Sequence, residues 1–187
     1  MHLDTRTMIF SFATGSLIMA VGLFIANLRA AHMRVMTLWV AANFSIFAAW
    51  VLYGAFGETA QAIIGVVAFT LFVTGYALEF SALSLFCGRG IAPRLLAGLI
   101  AAGVAANVLT VVLVPGGLRW RILCGSLVIS AWFAASAVTL IVGPRREERI
   151  SHMMTAGFFV ALAIAYALRA VFASGVQSLV LAVNYVG

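Results

Sequence analysis

Charge is what this sequence has least of. Only 9% of its 187 residues are charged, against the ~25% usual in soluble domains. Five residues are acidic, and all eleven basic ones are arginine. The absence of lysine excludes a retinal protein of the seven-helix kind, because its Schiff base needs a lysine amine. An arginine-only complement in a chain rich in Ala, Gly and Val is the bias of a GC-rich bacterial genome. Cysteines number two and prolines three. Cys87 and Cys124 form no CxxC or Cys/His zinc spacing. Pro93, Pro115 and Pro144 fall at the borders of apolar stretches, so no proline-broken helix marks a transporter site.

What is present is hydrophobic sequence, 65% of the chain. It comes in runs of bilayer length, roughly 8–28, 35–56, 63–86, 95–114, 122–142 and 154–173, with another starting near 178 and incomplete at 187. A hydrocarbon core of ~30 Å is crossed by ~20 apolar residues in a helix rising ~1.5 Å per residue. The expected fold is therefore all-α: a polytopic transmembrane helix bundle with six full spans plus an incomplete seventh. It forms one domain over 1–187, because the longest loop, 143–153, is too short to fold alone. The first run exceeds the ~7–15 residues of a signal-peptide core and is followed at once by Arg29 and Arg34, so it reads as a retained helix.

The net charge of +6 does not point to nucleic acid. The arginines stand at the ends of apolar helices, where anionic lipid is the expected partner. Their distribution is uneven. The first, third and fifth loops hold Arg29, Arg34, Arg89, Arg94, Arg145, Arg146 and Arg149. The N-terminus and the even loops hold Arg6, Arg119 and Arg121. By the positive-inside rule the odd loops are cytoplasmic and the N-terminus lies outside. The expected location is a bacterial cytoplasmic (inner) membrane, and a completed seventh span would bring the C-terminus inside. Trp39, Trp50, Tyr53 and Trp120 fall near span ends as interfacial anchors, whereas Trp132, in mid-span, is expected inside the bundle. Cys87 and Cys124 fall near opposite membrane faces, too far apart for a disulfide.

Two charges lie within spans. Glu79, in Tyr76-Ala-Leu-Glu79, is about seven residues, or ~10 Å, from the inner end of its helix. A carboxylate there is costly and faces the bundle interior or a wet cavity. It reads either as a proton- or ligand-linked switch or as a structural hydrogen-bonding group, with Tyr76 one turn away. Arg169, in Tyr166-Ala-Leu-Arg169, is close to the outer end of its span, where an arginine snorkels to the headgroups. The two are expected in opposite leaflets, without direct contact.

The remaining polar groups suggest no further chemistry. His2, His32 and His152 read as interfacial loop residues, and Glu147 and Glu148 as solvated ion-pair partners. Asn27, Asn43 and Asn107 are candidates for hydrogen bonds between helices. Gly98/Ala102/Ala106, Ser11/Gly15 and Gly22/Ala26 have the small-residue spacing of close helix approach. No catalytic group, metal site or cofactor site is indicated: there is no HExxH, no phosphate loop and no convergent carboxylate pair.

Several short segments together resemble one family group. They are Leu3-Asp4-Thr5-Arg6-Thr7 before the first helix, and Leu78-Glu79-Phe80-Ser81-Ala82-Leu83 leading to a Gly88-Arg89 turn. Tyr166-Ala167-Leu168-Arg169-Ala170 and Gly175-Val176-Gln177-Ser178 follow. This order is similar to the N-terminal multi-helix membrane input regions of bacterial GGDEF-type diguanylate cyclases. The resemblance covers essentially the whole chain, but no GGDEF catalytic domain is present, so no catalytic residue carries over. It implies a membrane-embedded sensory or input domain that passes a rearrangement to a dimeric output and so regulates cyclic-di-GMP synthesis. The alternative is an accessory integral-membrane subunit of a larger complex, and less favoured is a small transporter. The expected partners are the lipid bilayer and either a second copy or a larger membrane complex; the cue has no motif in the sequence.

Overall fold

The computed structural model describes residues 5–29, 34–55, 61–113, 118–142 and 149–185. Apart from the turn at 87–92 these are all helical, with no strand among them. The helices are α1 (Thr5–Arg29), α2 (Arg34–Ala55), α3 (Gln61–Phe86), α4 (Pro93–Leu113), α5 (Leu118–Val142) and α6 (Arg149–Tyr185). Each contains a stretch long and apolar enough to cross a membrane, from Ile9–Ala26 in α1 to His152–Phe172 in α6. The chain is thus a multi-pass membrane protein of six apolar helices.

The first six expected spans each coincide with one helix to within a few residues, save at the C-terminal end of α6. There the structure corrects the sequence reading. α6 runs unbroken for 37 residues through Gly175–Ser178, where a break before a seventh span was expected. A single glycine costs a helix only ~1 kcal/mol, and no proline stands nearby to end it. At ~1.5 Å per residue α6 is about 55 Å long, well beyond the ~30 Å hydrocarbon core.

The α3–α4 turn shows how local sequence ends a helix. Gly88 takes φ +74°, a left-handed conformation that lacks strain only without a Cβ. The Gly88 amide donates to the Leu85 carbonyl at 2.9 Å and the Arg89 amide to the Ser84 carbonyl at 2.7 Å. This pair satisfies carbonyls that a helix end leaves open. Pro93 then opens α4, at a position where its missing amide costs nothing.

The chain divides into two compact units, Met1–Val104 and Ala105–Gly187, with the border inside α4. In the first, α2 packs against both α1 and α3. The α2–α3 contact is tight at Gly75, where a Cβ would meet Ile46 Cγ1 at 2.6 Å and the Ala42 carbonyl oxygen at 3.0 Å. A hydrogen bond crosses this contact, from the Ser45 hydroxyl to the Leu71 carbonyl at 2.8 Å. In the second unit α5 packs on α6, again with a crossing hydroxyl bond, from Ser130 to the Ala163 carbonyl at 2.8 Å. Phe133 of α5 sits between Phe159 at 5.8 Å and Tyr166 at 5.7 Å. Along α6, His152, Ala156, Phe159, Ala163 and Ala170 are buried, a spacing of three, four and seven residues that marks one helix face.

Several smaller expectations change. Gly15, Gly22 and Gly98 have open space where a Cβ would stand, so close approach occurs at Gly75 rather than on the small-residue stripes of α1 and α4. Asn43 donates to the Trp39 carbonyl of its own helix at 3.0 Å; serine hydroxyls make the bonds between helices instead. His152 belongs to α6 and is 7% exposed, because it shares the face that α6 turns inward. Trp132 is buried at 7% exposure, as expected. Cys87 and Cys124 are not joined in a disulfide. His2, His32, Glu147 and Glu148, like Pro115 and Pro144, lie outside the described residues, and so does the side chain of Asn27.

Candidate functional site

The seam between α2 and α3 brings together most of the chemistry-bearing groups of the first unit. Aromatic pairs span it at both ends. Near one end Trp50 of α2 meets Phe72 of α3, edge to face, with ring centroids 4.8 Å apart. Near the other, Trp39 meets Phe86 at 6.2 Å. The pairing runs 50 with 72 and 39 with 86, so the helices are antiparallel. Both tryptophans therefore pack within the unit as well as lying near span ends.

The stripe joining these pairs carries the polar residues. On α3, Glu79 stands seven residues after Phe72 and seven before Phe86. Seven residues make two helical turns, so the three share a side of the helix with steps of about 10 Å. On α2, Asn43 is four residues from Trp39 and seven from Trp50, again on one side. By the antiparallel register Asn43 and Glu79 fall at about the same level, between the outer pairs Trp50–Phe72 and Trp39–Phe86; this level is the middle rung of the ladder along the seam. The close approach of Gly75 to Ala42 and Ile46 lies beside this middle rung.

Glu79 is half-buried and so is Asn43. Among the described residues none forms an ion pair or hydrogen bond with Glu79. The amide nitrogen of Asn43 is used on the Trp39 carbonyl, which leaves its side-chain oxygen as the acceptor on this rung. The middle of the ladder thus presents a carboxyl and a carboxamide oxygen, with aromatic rings above and below.

More aromatic groups extend the outer end. Phe12 of α1 stacks on Trp50 at 5.1 Å, and Tyr53 tilts toward Phe72 at 6.3 Å. Tyr76, 9% exposed, lies 6.4 Å from Phe72 with ring planes 12° apart. Of the residues singled out in the sequence, Tyr76 and Glu79 share α3 in the first unit, whereas Arg169 is exposed on α6 in the second. Asn43, Trp39, Trp50, Phe72 and Phe86 join the site only through the structure. The 72–79–86 spacing was visible in the sequence, but a helix apolar on every side does not reveal which stripe meets a neighbour.

Nothing among the described residues gathers three His, Cys, Asp or Glu side chains as a metal site would. Comparison with known proteins found no matching family model, no similar curated protein and no similar solved structure.

Proposed function

We propose that this chain is a membrane-embedded sensory or input domain, and that the α2–α3 ladder is its sensing element. The observation that supports this most is the middle rung. Glu79 and Asn43 place oxygen acceptors, without a partner among the described residues, inside membrane spans beside the tight Gly75 contact of α2 and α3. An intramembrane ionisable group is expensive to keep and is a functional candidate by default. Anything that changes its partner also changes the balance of forces on the α2–α3 contact, which is how a cue biases a helix arrangement.

The connection to cyclic-di-GMP rests on the resemblance of the short segments around Glu79, Gly88 and Arg169. It carries a topological condition. With the N-terminus outside, six crossings return the chain to the outer side after α6.

The exposure of α4 favours a second reading, that of an accessory subunit. Gly103 and Asn107 are its only buried residues among those described, and Leu95, Leu99, Leu109, Val112 and Leu113 are all exposed. Such a face is covered either by lipid or by a partner helix.

One genetic experiment separates the two readings. Glu79→Gln and a deletion are each placed at the chromosomal locus, and cellular cyclic-di-GMP is measured at matched levels of the variant protein. The input reading expects both changes to shift the nucleotide level in the same direction. An unchanged level in both strains removes the cyclic-di-GMP link. Co-purification of the wild-type chain in a stoichiometric membrane complex would then carry the accessory reading.

A further inference from the structure

We propose that the end of the second unit where α5 begins binds the headgroup of an anionic phospholipid, held between Arg119 of α5 and Arg169 of α6. The backbone brings these two arginines to one place. Consecutive spans joined by a connection as short as 143–148 run antiparallel, and the Ser130 hydroxyl bond to the Ala163 carbonyl fixes their register. Counted from that pair, Arg169 stands level with Cys124, about 8 Å along the axis from Arg119 and about 5 Å from Arg121. The two helix sides match as well. Arg119 precedes Phe133 by close to four whole turns, so it falls on the stripe of α5 that meets α6. Arg169 is one turn beyond Tyr166, which packs on Phe133, so it flanks the same seam. Trp120, next to Arg119, is exposed, as an anchor at the headgroup level would be.

The second unit holds no anion to neutralise this end. Its acidic residues are Glu147 and Glu148, which come before α6 begins, about six helical turns from Arg169 in sequence. Arg169 has no ion pair or hydrogen bond among the described residues. Two like charges brought near one level repel, the more so as the dielectric falls toward the bilayer. A phosphate between them removes the repulsion and accepts the paired N–H groups of a guanidinium. The surroundings of Arg169 select a lipid phosphate over a soluble one. It is exposed within the apolar stretch His152–Phe172, and Leu168, Val171 and Phe172 beside it are exposed too. Those side chains meet the acyl chains of the molecule whose phosphate the arginine takes. A choline or ethanolamine headgroup would bring an ammonium against the guanidinium groups, whereas a glycerol headgroup brings none.

This site does not rest on the sensory reading, and its failure leaves the cyclic-di-GMP measurement unaffected. The test is photolabelling of the purified chain in phosphatidylcholine nanodiscs. They are doped equally with phosphatidylglycerol or phosphatidylcholine that carries a diazirine high on one acyl chain, and adducts are located by mass spectrometry. The expected result is heavier labelling of 118–126 and 164–172 by the glycerol lipid than by the choline lipid. Arg169→Gln lowers that excess about fivefold, the worth of one arginine at an anionic lipid surface. It leaves any excess on the 87–92 turn, which carries Arg89, as in the wild type. Arg169→Lys, which keeps the charge, keeps most of the excess. Arg119→Gln lowers it as Arg169→Gln does, and supplies the comparison should Arg169→Gln melt below the wild type in the same nanodiscs. Equal labelling by the two lipids overturns the proposal, as does an excess that a folded Gln variant of either arginine leaves unchanged. Inorganic phosphate at constant ionic strength is expected not to compete. If it abolishes the excess, the site takes a soluble anion and the lipid assignment fails.

Discussion

Phe133→Ala is expected to be the most damaging single truncation in the second unit. The ring is 6% exposed and packs against Phe159 and Tyr166 of α6. In a bilayer the transfer part of the usual truncation cost largely cancels, because an unpacked helix still keeps its side chains in hydrocarbon. The cavity part remains. At ~24 cal/mol per Å³, an unfilled space of ~100 Å³ costs about 2 kcal/mol. Loss of the two aromatic contacts adds about 0.5–1.5 kcal/mol each at most. The total expected loss is about 3–5 kcal/mol, read as a shift in the SDS-induced unfolding midpoint of the protein in mixed micelles. Phe158→Ala is the control. Phe158 neighbours Phe159 but is 62% exposed, so its change should be small. Equal effects of the two substitutions would mean that Phe133 does not fill the α5–α6 contact as described.

Gly75→Ala is expected to be the most damaging small substitution in the first unit. The added methyl would stand 2.6 Å from Ile46 Cγ1 and 3.0 Å from the Ala42 carbonyl oxygen. A side-chain end can rotate away, but a backbone carbonyl moves only if α2 moves. Overpacking of this kind costs about 1–3 kcal/mol. Gly54→Ala gives the contrast, since its methyl would meet only Ile9 Cγ2 at 3.0 Å, the end of a side chain. In the same micelle unfolding assay Gly75→Ala should fall well below Gly54→Ala in stability. It should also disturb the α2–α3 ladder, because Gly75 is one turn from Glu79. A Gly75→Ala protein as stable as wild type would show that the helices are not locked together at this point.

The six apolar helices were legible in the sequence because bilayer thickness translates directly into run length, and their ends were marked by arginines, prolines and the Gly88 turn. The burial of Trp132 was legible too, because a mid-span tryptophan cannot serve as an interfacial anchor. Helix pairing was not legible. In a soluble helix one polar face reveals the inward stripe, but α3 is apolar nearly all round, and lipid and protein interior look alike to it. For that reason the small-residue stripes of α1 and α4 suggested close contacts that the structure places at Gly75. Asn43 suggested a bond between helices that Ser45 and Ser130 make instead. The continuity of α6 was missed for a local reason: Gly175-Val176-Gln177-Ser178 has the composition of a loop, yet it lacks a residue that forbids helix. Glu79 was identified by its cost alone, whereas Asn43 and the flanking rings became part of the site only once the antiparallel register of α2 and α3 was fixed.

The central claim is a chain that crosses the membrane six times with its arginine-rich loops inside. Reporter fusions test it most directly, with alkaline phosphatase (active outside) and green fluorescent protein (fluorescent inside) joined in turn after Ala31, Gly57, Gly90, Gly116, Arg146 and Gly187. The account predicts fluorescence and no phosphatase activity at Ala31, Gly90 and Arg146, and the reverse at Gly57, Gly116 and Gly187. Strict alternation with the opposite sign would contradict the orientation, and a cytoplasmic signal at Gly187 would contradict a single crossing by α6.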